Sequence, residues 1–272
     1  MAVTHLKGRN KLIEHFKKFD TDKKKLLPLS FSHLNEFAFN RERWALRRIF
    51  GYEFPTSASA ERGTAVETAL NMIMTGSDYE VAKAKMISDF EVKVSTINDP
   101  KTDEEREYLE PLLKIGVDSF HKHALNWDLL NYQKKVELTI KDIPFVGYTD
   151  FHFEDKTTKE DFYIDLKTSK RKPFGISTSH AMQQSIYQRA TNANQKLWYL
   201  ITRKSGSDFY QLQLDDYQTP MKMCEHIVTV MGNYLSKVDS LDDVKNSLIP
   251  NPDDWFWKDE HVLKARKEVW GY

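Results

Sequence analysis

Cysteine is almost missing from this chain of 272 residues, and long apolar runs are missing altogether. Cys224 is the only cysteine in the sequence. One thiol excludes an internal disulfide and any zinc or iron–sulfur site built from several cysteines of the same chain. No run of about 18 apolar residues is present, which argues against a transmembrane helix. The N-terminal MAVTHLKGRN also lacks the apolar stretch of a signal peptide. We therefore expect a soluble, cytoplasmic protein without a membrane partner.

Net charge is missing as well, because 40 Lys and Arg balance 40 Asp and Glu. The charges are nevertheless unevenly distributed. Residues 1–50 contain 12 Lys and Arg against 5 Asp and Glu, whereas residues 206–272 contain 7 against 12. Such asymmetry is typical of a basic face that binds a polyanion and an acidic face that limits non-specific binding. Ordinary scatter of solvated charge gives the same pattern, and both interpretations stay open at this point.

The first half of the chain predicts helices. GRNKLIEHFKKF has the spacing of a basic amphipathic helix, and SHLNEFAFNRERWALRRIFG predicts one long helix that begins at Ser32. ERGTAVETALNMIM predicts a third helix. Capping-box patterns that start at Ser77 and Thr102 predict two more helix N-termini.

The second half predicts a sheet. KKVELTI, FVGYTDFHF and DFYIDLKT favour three antiparallel strands, SHAMQQSIYQRAT a helix, KLWYLITRK and FYQLQL two more strands, and residues 218–237 a final helix. This order predicts an α/β fold, with a mixed β-sheet flanked by helices and a helical N-terminal half. We expect a single domain over 1–272, divided into a mainly helical part (1–128), a sheet core that carries the chemistry (129–215) and C-terminal helices (216–272).

One polar pattern stands out on two neighbouring strands. Asp165 and Lys167 are two residues apart, so they share one face of an extended chain, and Asp150 precedes them on the strand before. Mg²⁺ prefers one or two carboxylates with water and substrate phosphate as further ligands. Phosphodiester hydrolysis also needs a cation near the transition state, which Lys167 can supply, and the Leu166 carbonyl is a candidate metal ligand. The alternative is a surface ion pair, which would stabilise the protein little.

The order of the motifs resembles the PD-(D/E)-x-K nuclease superfamily over roughly residues 30–205. Asp150 followed by Asp165-Leu166-Lys167 is similar to its D…(D/E)-x-K signature. GYTD, which ends at Asp150, resembles the G-x-x-D form of RecB-like exonucleases. Gln183 and Tyr187 match the Q-x-x-x-Y motif of that branch, and Glu67 in RGTAVE stands where those enzymes have a helical metal ligand.

This resemblance implies a restriction-endonuclease-like core and a role for each matched residue. Asp150, Asp165 and the Leu166 carbonyl would bind Mg²⁺ or Mn²⁺, two ions per site, with Glu67 as a further ligand. Lys167 would orient the attacking water, and Gln183 and Tyr187 would hold substrate phosphate or fix the lysine. Glu137 on the first strand also fits the pattern. Separately, the local charge makes five residues candidates for DNA contact: Arg43, Arg47, Lys170, Arg171 and Lys172.

The sequence departs from one branch of this family. RecB-like nucleases with an iron–sulfur cluster have one cysteine near the N-terminal helix and three near the C-terminus. Asn40 stands in the region of the first, and the tail NPDDWFWKDEHVLKARKEVW has none. The resemblance therefore implies a nuclease without the cluster, in which Trp255 and Trp257 pack in its place.

We expect a metal-dependent DNA exonuclease that acts on linear DNA by two-metal, in-line attack of water. Its role would be in recombination, repair or degradation of DNA in a bacterium or phage, with a single-strand-binding or recombination protein as a candidate partner. Two alternatives stay open: a structure-specific or restriction-like endonuclease on the same fold, and a non-catalytic DNA-binding relative. Another Mg²⁺ phosphohydrolase, such as a nucleotidase, is disfavoured because the usual His-Asp pairs are missing from the sequence.

Overall fold

Helices precede a five-stranded sheet in the computed structural model, which describes residues 12–21, 25–251, 253, 257 and 259–272. Residues 12–17 are helical. The later helices are α1 (Phe31–Phe39), α2 (Arg41–Arg48), α3 (Ala58–Met74), α4 (Tyr79–Val94), α5 (Thr102–Glu107), α6 (Leu109–His123), α7 (Thr178–Thr191), α8 (Gln218–Leu235), α9 (Leu241–Asn246) and α10 (Glu260–Trp270). The strands are β1 (Trp127–Ile140), β2 (Ile143–Asp155), β3 (Asp161–Ser169), β4 (Asn194–Arg203) and β5 (Gly206–Gln213).

The sheet is mixed and follows the order of the chain, β1-β2-β3-β4-β5. Lys141 and Asp142, both with positive φ, form the tight turn between β1 and β2. Strands β2 and β3 are antiparallel, β3 and β4 are parallel, and β4 and β5 are antiparallel. The parallel pair requires a crossover, which α7 provides. The predicted mixed sheet with flanking helices is confirmed.

Alternation along the strands gives the sheet two faces, an apolar one and one that mixes polar and apolar side chains. The apolar face packs against α3, α4 and α6, where Leu70, Phe90 and Leu112 are buried. The strands contribute Phe151, Phe153, Phe162, Ile164, Leu166, Trp198 and Leu200 to this core. The opposite face therefore receives the residues in between, which include Asp150, Asp165 and Lys167.

The chain forms two compact units. The first contains residues up to Phe54, Glu137–Gly147 and Asp216–Tyr272, and the second contains Pro55–Val136 and Tyr148–Asp215. In the first unit, Trp257 is buried beside Leu46 and contacts Trp270 edge-on, whereas Trp255 lies outside the described residues. That 1–272 forms one nuclease domain stays a prediction. Within the described ranges, no helix combines the length and apolar character that crossing a membrane requires.

Helix boundaries differ from the sequence-based predictions at three places. The long helix predicted from Ser32 is two helices, α1 and α2, because the Asn40 side chain accepts the Arg43 N–H and caps the second one at 2.8 Å. Asp78, rather than Ser77, caps α4. Helix α5 has Lys101 as its N-cap residue, so Thr102 lies inside the helix; its hydroxyl instead donates to the Asp99 carbonyl at 2.7 Å.

Candidate active site

The register of two strands brings the predicted aspartates together in the second unit. Phe151 of β2 is paired with Ile164 of β3, and the antiparallel continuation places Asp150 opposite Asp165. The Asp150 Oδ2 accepts a hydrogen bond from the Leu166 N–H at 2.8 Å. The carboxylate of Asp150 is thereby fixed against the backbone between Asp165 and Lys167.

Asp165, Lys167, Gln183 and Tyr187 form a continuous series of polar contacts. Lys167 Nζ lies 2.7 Å from Asp165 Oδ2 and donates to Gln183 Oε1 at 3.2 Å. Gln183 Nε2 donates in turn to the Tyr187 hydroxyl at 3.4 Å. Gln183 and Tyr187 are four positions apart on α7, so both lie on the helix face that meets β3. The structure therefore brings together the D-x-K strand and the helix that the sequence predicted to accompany it.

Burial and neighbouring charges shift the pKa values of the residues in this cluster. Burial raises the pKa of Asp150 well above its usual range, and the negative charges of Asp165 and Glu67 raise it further. Burial alone would lower the pKa of Lys167, but the carboxylates of Asp165 and Asp150 outweigh burial and raise it. Burial raises the pKa of Tyr187 to about 12, so its hydroxyl stays protonated. The site is an acidic cluster around the Lys167 ammonium.

Glu67 lies at the edge of this cluster, on α3. Its Oε1 accepts a hydrogen bond from Gln133 Nε2 at 3.2 Å. Burial raises the pKa of Glu67, while hydrogen bonds from Gln133 and Tyr132 lower it and the charge of Asp165 raises it. Asp165 therefore influences Glu67 electrostatically.

Gln133 and Tyr132 are residues that the sequence did not single out. Gln133 has φ of 49°, a left-handed backbone inside β1, and Tyr132 packs against the core while Gln133 is exposed. This local break in the strand turns the Gln133 amide towards Glu67 and places it 3.2 Å from the Tyr132 hydroxyl. A glutamine carries no sequence signal for positive φ, so the pattern of residues could not have predicted this arrangement.

The carboxylates in this cluster fit a divalent cation that two of them would hold. Asp165 is 3% exposed; its Oδ2 lies 2.7 Å from the Lys167 ammonium, and its Oδ1 forms no hydrogen bond with any described residue. Two buried carboxylates, Asp150 and Asp165, share the single Lys167 ammonium, and a bound cation would offset the remaining negative charge. Across the residues that the structure describes, no three His, Cys, Asp or Glu side chains converge closely enough to hold a metal ion. A Mg²⁺-type site needs only one or two carboxylates, so Asp150 and Asp165 stay the predicted metal ligands, and Glu67 as a third ligand stays a prediction as well.

The predicted DNA-contact residues occupy different environments. Arg43 and Arg47 belong to the first unit and contact the buried Glu36. Lys170, in the second unit, pairs with Glu104 and Glu105 at 2.7 and 2.8 Å. Arg171 and Lys172 are exposed. Glu137 is exposed on β1 and belongs to the first unit, and its role stays a prediction.

The mixed sheet and the helices around it define a nuclease-like α/β fold. The model of the PD-(D/E)XK nuclease superfamily matches residues 28–251. The chain belongs to that superfamily, as its motifs predicted. Members of the superfamily act on DNA and generally use divalent metal ions.

Solved structures resemble this fold at low sequence identity. A Eubacterium rectale protein, whose crystal structure is described as that of a putative exonuclease, has a TM-score of 0.50 and 12% identity, and the match covers 83% of this chain and 90% of that one. The crystal structure of SSO0001 has a TM-score of 0.32 and 16% identity, over 73% of this chain and 82% of the other. Curated proteins provide no sequence match to this chain.

Proposed function

We propose that this protein is a metal-dependent DNA exonuclease of the RecB-like branch. The observation that carries the proposal is the series of contacts from Asp165 through Lys167 and Gln183 to Tyr187. It joins the D-x-K strand to a Q-x-x-x-Y helix in one site. The same proposal includes linear DNA as substrate and a role in recombination, repair or degradation of DNA.

Each residue has a role that its environment supports. Asp150 and Asp165 would hold Mg²⁺ or Mn²⁺, two ions per site with the Leu166 carbonyl and Glu67 as further ligands, and the metal would supply a Lewis acid that activates water for in-line attack on phosphorus. Lys167 is kept charged by its carboxylate neighbours, so its ammonium offsets negative charge on the phosphate. Gln183 fixes the Lys167 ammonium, and Tyr187 fixes Gln183.

The proposed enzyme has no iron–sulfur cluster. Such clusters need thiolate ligands, and the one cysteine of this sequence, Cys224, is buried on α8. Burial raises the pKa of the Cys224 thiol to about 12, which disfavours a thiolate there. The buried Trp257 and the partly buried Trp270 supply apolar packing near the C-terminus.

The test compares linear DNA, end-labelled or stained, with covalently closed circular DNA, stained, in Mg²⁺, Mn²⁺ or EDTA. We expect linear DNA to be degraded with either metal and circles to persist. Asp165→Asn and Lys167→Ala should each reduce the rate at least about 100-fold, the usual effect of removing a charge that stabilises a transition state. Asp215→Asn changes an exposed carboxylate of the same unit and should leave the rate unchanged.

Other outcomes select the alternatives. Equal degradation of circles would contradict the exonuclease and support an endonuclease on the same fold. Binding of DNA in EDTA without cleavage in any metal, by protein that is folded by circular dichroism, would support a non-catalytic relative.

A further inference from the structure

A short loop joins the two elements that carry the candidate active residues. Residues 170–177, which we call the β3–α7 loop, begin three positions after Lys167 and end six positions before Gln183. The loop therefore lies at the same end of β3 as the Lys167 ammonium. Its sequence, KRKPFGIS, combines three cations with one aromatic residue.

Both ends of this loop are anchored to the second unit. At the start, Lys170 pairs with Glu104 and Glu105, and the Arg171 N–H donates to Ser169 Oγ at 3.0 Å. At the end, Ile176 packs against the apolar cluster formed by Leu197, Tyr199 and Ile201 on the face of the sheet that carries Asp165. The conformation of the loop is thus fixed by contacts on either side of its tip.

The tip presents an aromatic ring to solvent beside positive charge. The accessible area of Phe174 is 113% of the reference value for an exposed Phe, so the ring is fully exposed. This is the highest relative exposure of any large apolar residue that the structure describes. Arg171 and Lys172 are exposed as well, and Lys172 Nζ lies 4.3 Å from the ring centroid of Tyr210. Covering a fully hydrated Phe ring with an apolar surface is favourable, because it removes apolar area from water. The neighbouring cations favour a negatively charged partner, and the exposed ring favours a partner with a flat surface.

We propose that the β3–α7 loop binds unpaired bases of a DNA strand, with Phe174 stacked on a base and Arg171 and Lys172 on the adjacent phosphates. Sequence-independent binding of single strands combines an aromatic platform with a cationic track, because every base has a π-face and every nucleotide a phosphate. In an intact duplex the base faces are stacked on one another and are out of reach of the ring. This inference rests on DNA as the substrate of the proposed function, and it specifies single strands or frayed ends as the class of DNA engaged next to the site.

The test measures binding to a short fluorescent single strand by anisotropy in EDTA, where cleavage plays no part. Phe174→Ala should weaken binding about 5- to 150-fold, the range that loss of one stacked base gives, and Phe174→Trp should retain it. Arg171→Ala combined with Lys172→Ala should lower the slope of log K against log salt by about 1.4. Phe174→Ala should leave that slope unchanged, because a stacked ring releases no counterions.

Two comparisons make the outcome decisive. Leu125→Ala removes another exposed apolar side chain of the same unit, 76% exposed, and should bind as the wild type does. An oligonucleotide with 2-aminopurine at successive positions should show a fluorescence change that Phe174→Ala abolishes. Wild-type affinity in Phe174→Ala, or an equal loss for closed circular duplex, would overturn the proposal. Failure of the wild type to cleave DNA in any metal would contradict the nuclease alone, since the binding comparison is made without metal.

Discussion

Lys167 is a partly buried cation whose charge depends on its neighbours. Its side chain is 24% exposed, and its ammonium lies against Asp165 and Gln183. Strand alternation predicted that Asp165 and Lys167 share a face, whereas the role of Gln183 beside the lysine was implied by the resemblance to the nuclease superfamily. The partners of the predicted DNA-contact arginines could not be predicted in the same way. Arg47 reaches Glu36 only because α1 and α2 fold onto each other at Asn40.

Gln133 gives a prediction at this scale that tests its backbone conformation. Both Gln133→Gly and Gln133→Ala remove the hydrogen bond to Glu67. Glycine adopts φ near 49° without strain, whereas alanine does not. We expect Gln133→Gly to have the larger free energy of unfolding, by about 1 kcal/mol, in urea denaturation. In an ordinary strand the order is reversed, because glycine is then the weaker strand residue, so that result would contradict the left-handed conformation.

Among the contacts between secondary-structure elements, a buried arginine attaches helix α3 to the end of the D-x-K strand. Arg62 forms an ion pair with Glu105 of α5 and donates to Thr168 Oγ1 of β3 at 3.1 Å. Gly63 lies beside the same threonine, since a Cβ there would be 3.3 Å from Thr168 Oγ1. These contacts fix the helix that carries Glu67 one turn before Glu67 itself. The sequence showed the helix but not its attachment, because Arg62 and Glu105 are 43 residues apart.

Removing one member of this ion pair should be costly. Arg62 and Glu105 are 3% and 1% exposed, so Glu105→Ala leaves a buried guanidinium without its carboxylate. We expect a loss of about 3–5 kcal/mol in the free energy of unfolding, measured in urea. The double variant Arg62→Met/Glu105→Leu replaces both charges with apolar groups and should lose less than the single variant does.

An exposed ion pair provides the matched control. Lys85 and Asp89 form an i,i+4 pair on α4 with side chains 55% and 37% exposed. Asp89→Ala should change the free energy of unfolding by less than about 1 kcal/mol. A similar small loss for Glu105→Ala would show that Arg62 is not held by Glu105 in a buried environment, and would contradict the attachment of α3 described above.

At the scale of the whole molecule, we expect the acidity of the candidate site to reduce the free energy of unfolding. Asp150, Asp165 and Glu67 influence one another electrostatically, and Asp150 pays a further penalty for burial. Lys167 offsets part of this repulsion. Residues arranged for chemistry commonly oppose stability in this way, and replacing them commonly stabilises a protein by about 0.5–2 kcal/mol while function is lost.

Asp150→Asn should therefore be more stable than the wild type in EDTA and inactive in every metal. The asparagine Oδ1 can still accept the Leu166 N–H, so the variant removes charge and keeps the hydrogen bond. Addition of Mn²⁺ should reverse the order of melting temperatures, because a ligand at 100 times its dissociation constant stabilises the native state by about 2.7 kcal/mol. The wild type gains this stabilisation and Asp150→Asn does not.

Differential scanning fluorimetry with and without Mn²⁺ measures both effects, with Asp215→Asn as the control that should follow the wild type. An equal gain with Mn²⁺ in Asp150→Asn would show that the metal binds elsewhere, and a lower melting temperature in EDTA would show that the Asp150 charge stabilises the fold.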